Sequence, residues 1–176
     1  GKPVDTNRFF VVSSNCLGGC RGSTGPSSKR ADGSGEAYGS SFPDLSIRDM
    51  IHAQRALIDH LGIRALHAVV GGSMGGMQAL QWIVEYPGFA KNAIIIAATA
   101  QHSVQTIAFN EAGRRSIRGD SGWQGGDYHE HTSPDQGLSV ARMMAHITYL
   151  SKKGLQEKFG RKLQEREDLK FSFDAD

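Results

Sequence analysis

An α/β fold is what the sequence predicts: parallel strands joined by crossover helices, then a largely helical second part. Three observations carry the prediction. Short, nearly continuous apolar runs recur at residues 9–12, 66–70 and 93–98. Stretches with helical spacing lie between them. Beyond Gln101 no run reads as a strand. The order strand, helix, strand, helix, strand is that of βαβ units. The 176 residues are 39% hydrophobic and 22% charged, enough apolar material to fold rather than stay disordered.

The elements follow in order. The run Phe9, Phe10, Val11, Val12 has no polar alternation, and such runs are expected to be buried on both faces of a parallel sheet. Ser46 followed by Asp49 reads as a capping box, the serine accepting from the helix and the aspartate reaching back. Ile47, Met50, Ile51, Ile58 and Leu61 continue with helical period, and Gly62 is a natural stop. The second strand is expected at 66–70. A helix follows from about Gly75 to Tyr86, ended by Pro87. The third strand is expected at 93–98.

Val104, Ile107, Ala108 and Ala112 then mark one helix. The glycine-rich stretch 119–127 is loop chemistry. Ser133 is placed as an N-cap, with Pro134 at the first helical position. Leu138, Ala141, Ala145 and Tyr149 carry that helix to about Leu150. The charged tail from Lys152 to Asp176 suggests one more. Residues 1–102 read as the sheet region and 103–176 as a helical insertion or cap.

Composition excludes several classes. The longest apolar run, 93–98, is far short of the roughly 20 residues that a spanning helix needs. The first residues lack the apolar core of a secretory signal. Twenty Lys+Arg against 18 Asp+Glu give a net charge of +2, no footprint for nucleic acid. Cys16 and Cys20 read as free thiols, since no second pair completes a zinc site. Glycine is the outlier, 22 residues, about 12% against an average near 7%.

The strongest local signal is Gly71, Gly72, Ser73, Met74, Gly75, Gly76. It holds G-x-S-x-G between an expected strand and an expected helix, the setting of a nucleophile elbow. There the serine hydroxyl projects from a strained turn, and its neighbours must be tiny to avoid the adjoining strand and helix. The Met74 N–H at the helix N-terminus would face a developing oxyanion. A glycine turn serving only close packing, or a phosphate-binding turn, is the bland reading; the latter lacks G-x-G-x-x-G spacing and the P-loop lysine. A nucleophilic serine also needs a base, usually histidine oriented by a carboxylate. The candidates after Ser73 are His102, His129, His131 and His146, and none follows an expected strand and acid loop. His129 and His131 could pair on a metal, yet no third ligand is in view, and no metal is expected.

Longer stretches resemble a known family. The loop from Ser14 to Ser28, with Cys16, Gly18, Gly19, Cys20, Gly22 and Gly25-Pro26, closely resembles the glycine-rich loop of homoserine O-acetyltransferases. The resemblance continues through Tyr38-Gly39-Ser40, Phe42-Pro43, Arg48-Asp49 and residues 53–57. It takes in 71–79, Gly125-Gly126-Asp127-Tyr128, residues 137–143 and Phe159-Gly160-Arg161. It spans nearly the whole chain in order.

The resemblance implies an α/β-hydrolase fold with an inserted helical cap. It implies ping-pong transfer of an acetyl group from acetyl-CoA to the hydroxyl of L-homoserine, with no permanently bound cofactor. Ser73 matches the acylated nucleophile and Met74 the position whose backbone N–H is half of the oxyanion hole. Arg142 and Tyr149 match cap residues around the amino-acid substrate. Seven residues is nearly two helical turns, so both share one face, and an arginine fork suits a carboxylate.

Three strands, the loop carrying the second oxyanion donor, and the catalytic Asp and His of the family have no counterpart in these residues. The expectation is therefore about half of such an enzyme, cut at both ends and inactive alone. The strands at 9–12 and 66–70 match two whose shared neighbour is missing. A cytoplasmic biosynthetic enzyme, homodimeric through its cap and without membrane or nucleic-acid partners, is implied. A succinyl donor, a serine acceptor and simple ester hydrolysis stay open.

Overall fold

A computed structural model describes residues 4–19, 22–128 and 132–160. Two compact units are present, Gly1–Gln101 and His102–Asp176.

The first unit is built on a βαβ core. Helix α1 spans Ile47–His60. Its start is held by a complete capping box: Ser46 Oγ accepts from the Asp49 N–H at 3.2 Å, and the Asp49 carboxylate accepts from the Ser46 N–H at 2.8 Å. Those bonds to Ser46 hold the Asp49 carboxyl below its usual range. The helix ends where Gly62 takes φ 71°, a left-handed conformation that costs glycine little.

Strand β1 (Val69–Gly72), helix α2 (Met74–Glu85) and strand β2 (Ala93–Ile96) follow. The strands are parallel neighbours, with Val69 opposite Ala93 and Gly72 opposite Ile96. An isolated parallel bridge between Leu66 and Ala90 extends the alignment backwards. The core forms where α1 and α2 meet the sheet. Ile51, Ile58, Val69, Ala79 and Trp82 are buried, and Ile63, Leu66, Phe89 and Ile95 pack around them. Trp82 anchors one end, its ring 5.0 Å from Tyr86 and 5.9 Å from Phe89. The Arg55 guanidinium lies over the same two rings at 4.9 and 4.1 Å, covering them while staying partly in water.

Two strand expectations need correction. Burial alternates along β1 and β2, and Val70, Ile94 and Ile96 are exposed. The apolar runs are thus buried on one face only, because α1 and α2 cover that face and no described residue of the unit covers the other. Residues 9–12 do not form a strand, and Phe10, Val11 and Val12 are exposed. A strand exists only through its ladder, and no described backbone group bonds to this segment as a neighbouring strand. The Phe9 ring lies 4.9 Å from that of His67.

The second unit is an antiparallel pair, α3 (Val104–Arg118) and α4 (Asp135–Tyr149), followed by α5 (Lys152–Phe159). Ser103 caps α3 by accepting from the Thr106 N–H. The helices touch at glycine: a Cβ on Gly137 would lie 2.3 Å from Ser116 O, and Ser116 Oγ donates to Gly137 O at 2.7 Å. Asp120 locks the connection, its carboxylate accepting from Gly122 N–H at 2.8 Å and Gly137 N–H at 2.7 Å. The N-cap of α4 is Pro134, not Ser133. The Ser133 hydroxyl donates to the Asp135 carboxylate, and Pro134, which has no polar side-chain atom, leaves the helix start without a side-chain cap. The described part of the tail is α5; residues 161–176 lie outside the described residues. No helix among the described residues is long and apolar enough to cross a membrane.

Candidate active site

Ser73 sits between β1 and α2 with φ 54° and ψ −120°. A non-glycine residue rarely adopts this conformation, and it persists only where the surroundings impose it. The imposing contacts are visible. The Ser73 N–H donates to Ile96 O at 2.9 Å, tying the turn to the end of β2. Its carbonyl accepts from the Gly76 and Met77 N–H groups at 2.9 and 3.2 Å, starting α2 at once. A second left-handed non-glycine residue, Ala97 at φ 50°, lies one residue past β2. The unusual backbone therefore gathers at the carboxyl edge of the strands, where open α/β sheets place their ligands.

The glycines have unequal duties. A Cβ on Gly71 would lie 1.9 Å from Gly75 O and 2.2 Å from Gly75 C. One on Gly76 would lie 2.5 Å from Ala98 Cβ. These two positions let strand and helix cross at backbone distance. A Cβ on Gly75 meets nothing within 4 Å, so the expectation that all neighbours must be tiny holds at Gly71 and Gly76 and fails at Gly75.

The arrangement presents an exposed serine hydroxyl at a helix N-terminus. The Met74 amide belongs to the first turn, where N–H groups have no intrahelical acceptor and the helix dipole favours negative charge. Met74 is 42% exposed and follows Ser73 directly. Chemically this suits a nucleophile whose attack creates an oxyanion.

Arg142 and Tyr149 both lie on α4 in the second unit. Both are exposed, and Arg142 forms no ion pair among the described residues. Its carbonyl accepts from or contacts His146 Nδ1 at 2.9 Å, and the His146 ring lies 5.5 Å from that of Phe159, which leaves His146 engaged within its own unit. His102 is exposed just before α3. His129, His131 and Cys20 lie outside the described residues. In the first unit His52 pairs with Glu85 at 3.2 Å, and the His67 ring lies 4.9 Å from that of Phe9. No cluster of three metal-ligating side chains occurs among the described residues.

Sequence reasoning missed a polar chain behind the elbow. Trp82 Nε1 donates to Gln54 Oε1 at 2.7 Å, Gln54 Nε2 to Gln78 Oε1 at 2.6 Å, and Gln78 Nε2 to the free thiol of Cys16 at 3.3 Å. The available signal was Gln78 itself, an amide inside the apolar stretch Met77, Ala79, Leu80, Trp82.

With the geometry in place, the similarities to known proteins are specific. The alpha/beta hydrolase fold family model matches residues 1–172. A homoserine O-acetyltransferase of Pelagibacter ubique is 58% identical over 177 residues, covering all of this chain and 47% of the relative. Among solved structures, esterase E22 superposes with a TM-score of 0.80 at 34% identity, over 89% of this chain and 44% of that one. A homoserine O-acetyltransferase from Bacillus anthracis gives 0.73 at 33%, over 80% and 37%. The chain spans 36–47% of the length of the curated relatives first matched.

Proposed function

The chain belongs to the alpha/beta hydrolase fold family, and from that premise we propose that it is the nucleophile-bearing part of a homoserine O-acetyltransferase. The observation that carries the reading is identity above one half, across the whole chain, to proteins of that name. The strained serine at the head of α2 supplies the chemistry.

In this reading Ser73 Oγ gives its proton to a base and attacks the thioester carbonyl of acetyl-CoA. The Met74 N–H stabilises the oxyanion. Collapse breaks the C–S bond, the CoA thiolate takes a proton, and Ser73 is left acetylated. The hydroxyl of L-homoserine then attacks the ester under the same base, and O-acetylhomoserine departs as Ser73 recovers its proton. The base and its orienting carboxylate are assigned to residues beyond these 176, so the 176 alone are expected not to turn over. Arg142 is the partner for the acceptor's carboxylate and Tyr149 a second polar contact to it. A cytoplasmic setting and a homodimer go with this reading, as does acetyl-CoA as a substrate rather than a resident cofactor. A succinyl donor or a serine acceptor would use the same steps.

The test is mass spectrometry of the full-length gene product after incubation with acetyl-CoA. The expected result is one acetyl group on Ser73, absent in Ser73→Ala, and discharged by homoserine faster than by water. No adduct, or one that survives Ser73→Ala, overturns the reading. The similarity to esterase E22 favours hydrolysis as the second reading. Discharge to water at the same rate with and without homoserine would select it.

A further inference from the structure

The chain of amides behind the elbow has a fixed polarity and a defined end. An indole N–H only donates, so Trp82 requires Gln54 Oε1 to face it. Gln54 must then offer its NH₂ to Gln78 Oε1, and Gln78 must point its own NH₂ at Cys16 Sγ. Gln78 is 4% exposed, the one buried polar side chain among the described residues. An amide is costly to bury unless its bonds are made, and this one spends its donor on a residue 62 positions away.

The far end is the glycine loop. Residues 9–16 lead from the Phe9 contact with His67, before β1, to Cys16 beside Gln78, in the second turn of α2. The loop closes on itself there. The Gly18 N–H donates to Thr24 O at 2.9 Å, Gly19 N–H to Cys16 O at 2.9 Å, and Ser23 Oγ to Asn15 O at 3.1 Å. A Cβ on Gly25 would lie 3.0 Å from Gly19 O. Cys16 is thus bonded into the described part of the loop. Gln78 is five residues after Ser73 on the helix that the serine opens.

We propose that Gln78 is a positioning residue: acting through Cys16, it fixes the glycine loop relative to the nucleophile. The proposal rests on reading Ser73 as the nucleophile.

The test compares Gln78→Leu, Cys16→Ala, Cys16→Ser and the double variant Gln78→Leu/Cys16→Ala in the full-length gene product. Misplacement of about 1 Å costs up to roughly 10²-fold in rate, so Gln78→Leu and Cys16→Ala should each lower kcat/KM by about 10- to 100-fold. The double variant should be no worse than Gln78→Leu alone, because that change already removes the Gln78–Cys16 bond. Cys16→Ser keeps an acceptor and should stay within about threefold of wild type.

Cys16→Ala within about twofold of wild type, or losses that multiply in the double variant, would overturn the proposal. If Gln78→Leu does not fold, the Cys16→Ala and Cys16→Ser pair decides. A second readout is independent of activity. Alkylation of Cys16, followed by peptide mass spectrometry, should accelerate severalfold in Gln78→Leu, and an unchanged rate overturns the tie. If wild-type Ser73 never acylates, the functional reading has failed, and the alkylation result still judges the link between Gln78 and the loop.

Discussion

Gly71→Ala is the sharpest perturbation of the elbow. The added methyl would start 1.9 Å from Gly75 O and 2.2 Å from Gly75 C. To reach even 3.0 Å, the shortest distance that real Cβ atoms show, α2 must retreat by about 1.1 Å at its first turn. The obstacle is backbone, so no side-chain rotation relieves it. Overpacking of this kind costs about 1–3 kcal/mol and sometimes more, a large part of a typical stability of about 5–15 kcal/mol. The same displacement turns the Met74 N–H out of line with the Ser73 hydroxyl, and about 1 Å of misplacement can cost roughly 10²-fold in rate. Gly75→Ala is the matched control, since its methyl meets nothing within 4 Å and alanine is favoured over glycine in a helix by up to about 1 kcal/mol. The assay is the thermal midpoint by circular dichroism, together with the rate of Ser73 acetylation. The expected order is Gly75→Ala at or above wild type in stability and Gly71→Ala several degrees below, with acylation nearly lost. Equal stability and equal acylation for the two variants would refute the steric reasoning.

Two further perturbations address the second unit. Hydrogen bonds from Gly137 and Gly122 hold the Asp120 carboxyl below its usual value of 3.8. A carboxyl depressed in the folded state stabilises it above the unfolded pKa and loses that contribution as pH falls through the folded one. Thermal midpoints measured from pH 7 downward should therefore be lower for Asp120→Asn than for wild type at pH 7, with the gap narrowing below about pH 4; a constant gap would refute the linkage. Arg142→Lys keeps the charge and removes the planar fork. It should raise KM for homoserine about tenfold, roughly 1.4 kcal/mol, without changing the rate of Ser73 acetylation by acetyl-CoA, which steady-state and single-turnover kinetics separate.

The expectations that held rest on interactions between residues close in the chain. Ser46 and Asp49 are three apart and bond each other, so the start of α1 was legible from a tetrapeptide. Gly62 ends it for an equally local reason, and the sharp turn at Ser73 lies in a six-residue motif whose strain belongs to one φ/ψ pair. The strand at 9–12 failed because a strand needs a partner elsewhere, and an apolar tetrapeptide carries no information about who that is. Two-sided burial failed likewise, since what covers Val70 and Ile94 is not written in either strand. Ser133 was not the cap because α4 starts one residue later than the Ser-Pro pattern suggests, at Asp135 with Pro134 at the N-cap.

By itself, then, the sequence determined the order from α1 through β1, α2 and β2 to the helices that follow, the serine on its sharp turn, and a likeness strong enough to suggest the reaction. Only the tertiary structure decided which glycines of the motif are sterically required, which face of the sheet is covered, and that Gln78 reaches from the nucleophile's helix to Cys16. The physical reason is range. Caps, turns and periodicity act over a few residues, whereas close approach, burial and long hydrogen bonds join residues whose proximity exists only after the chain has folded.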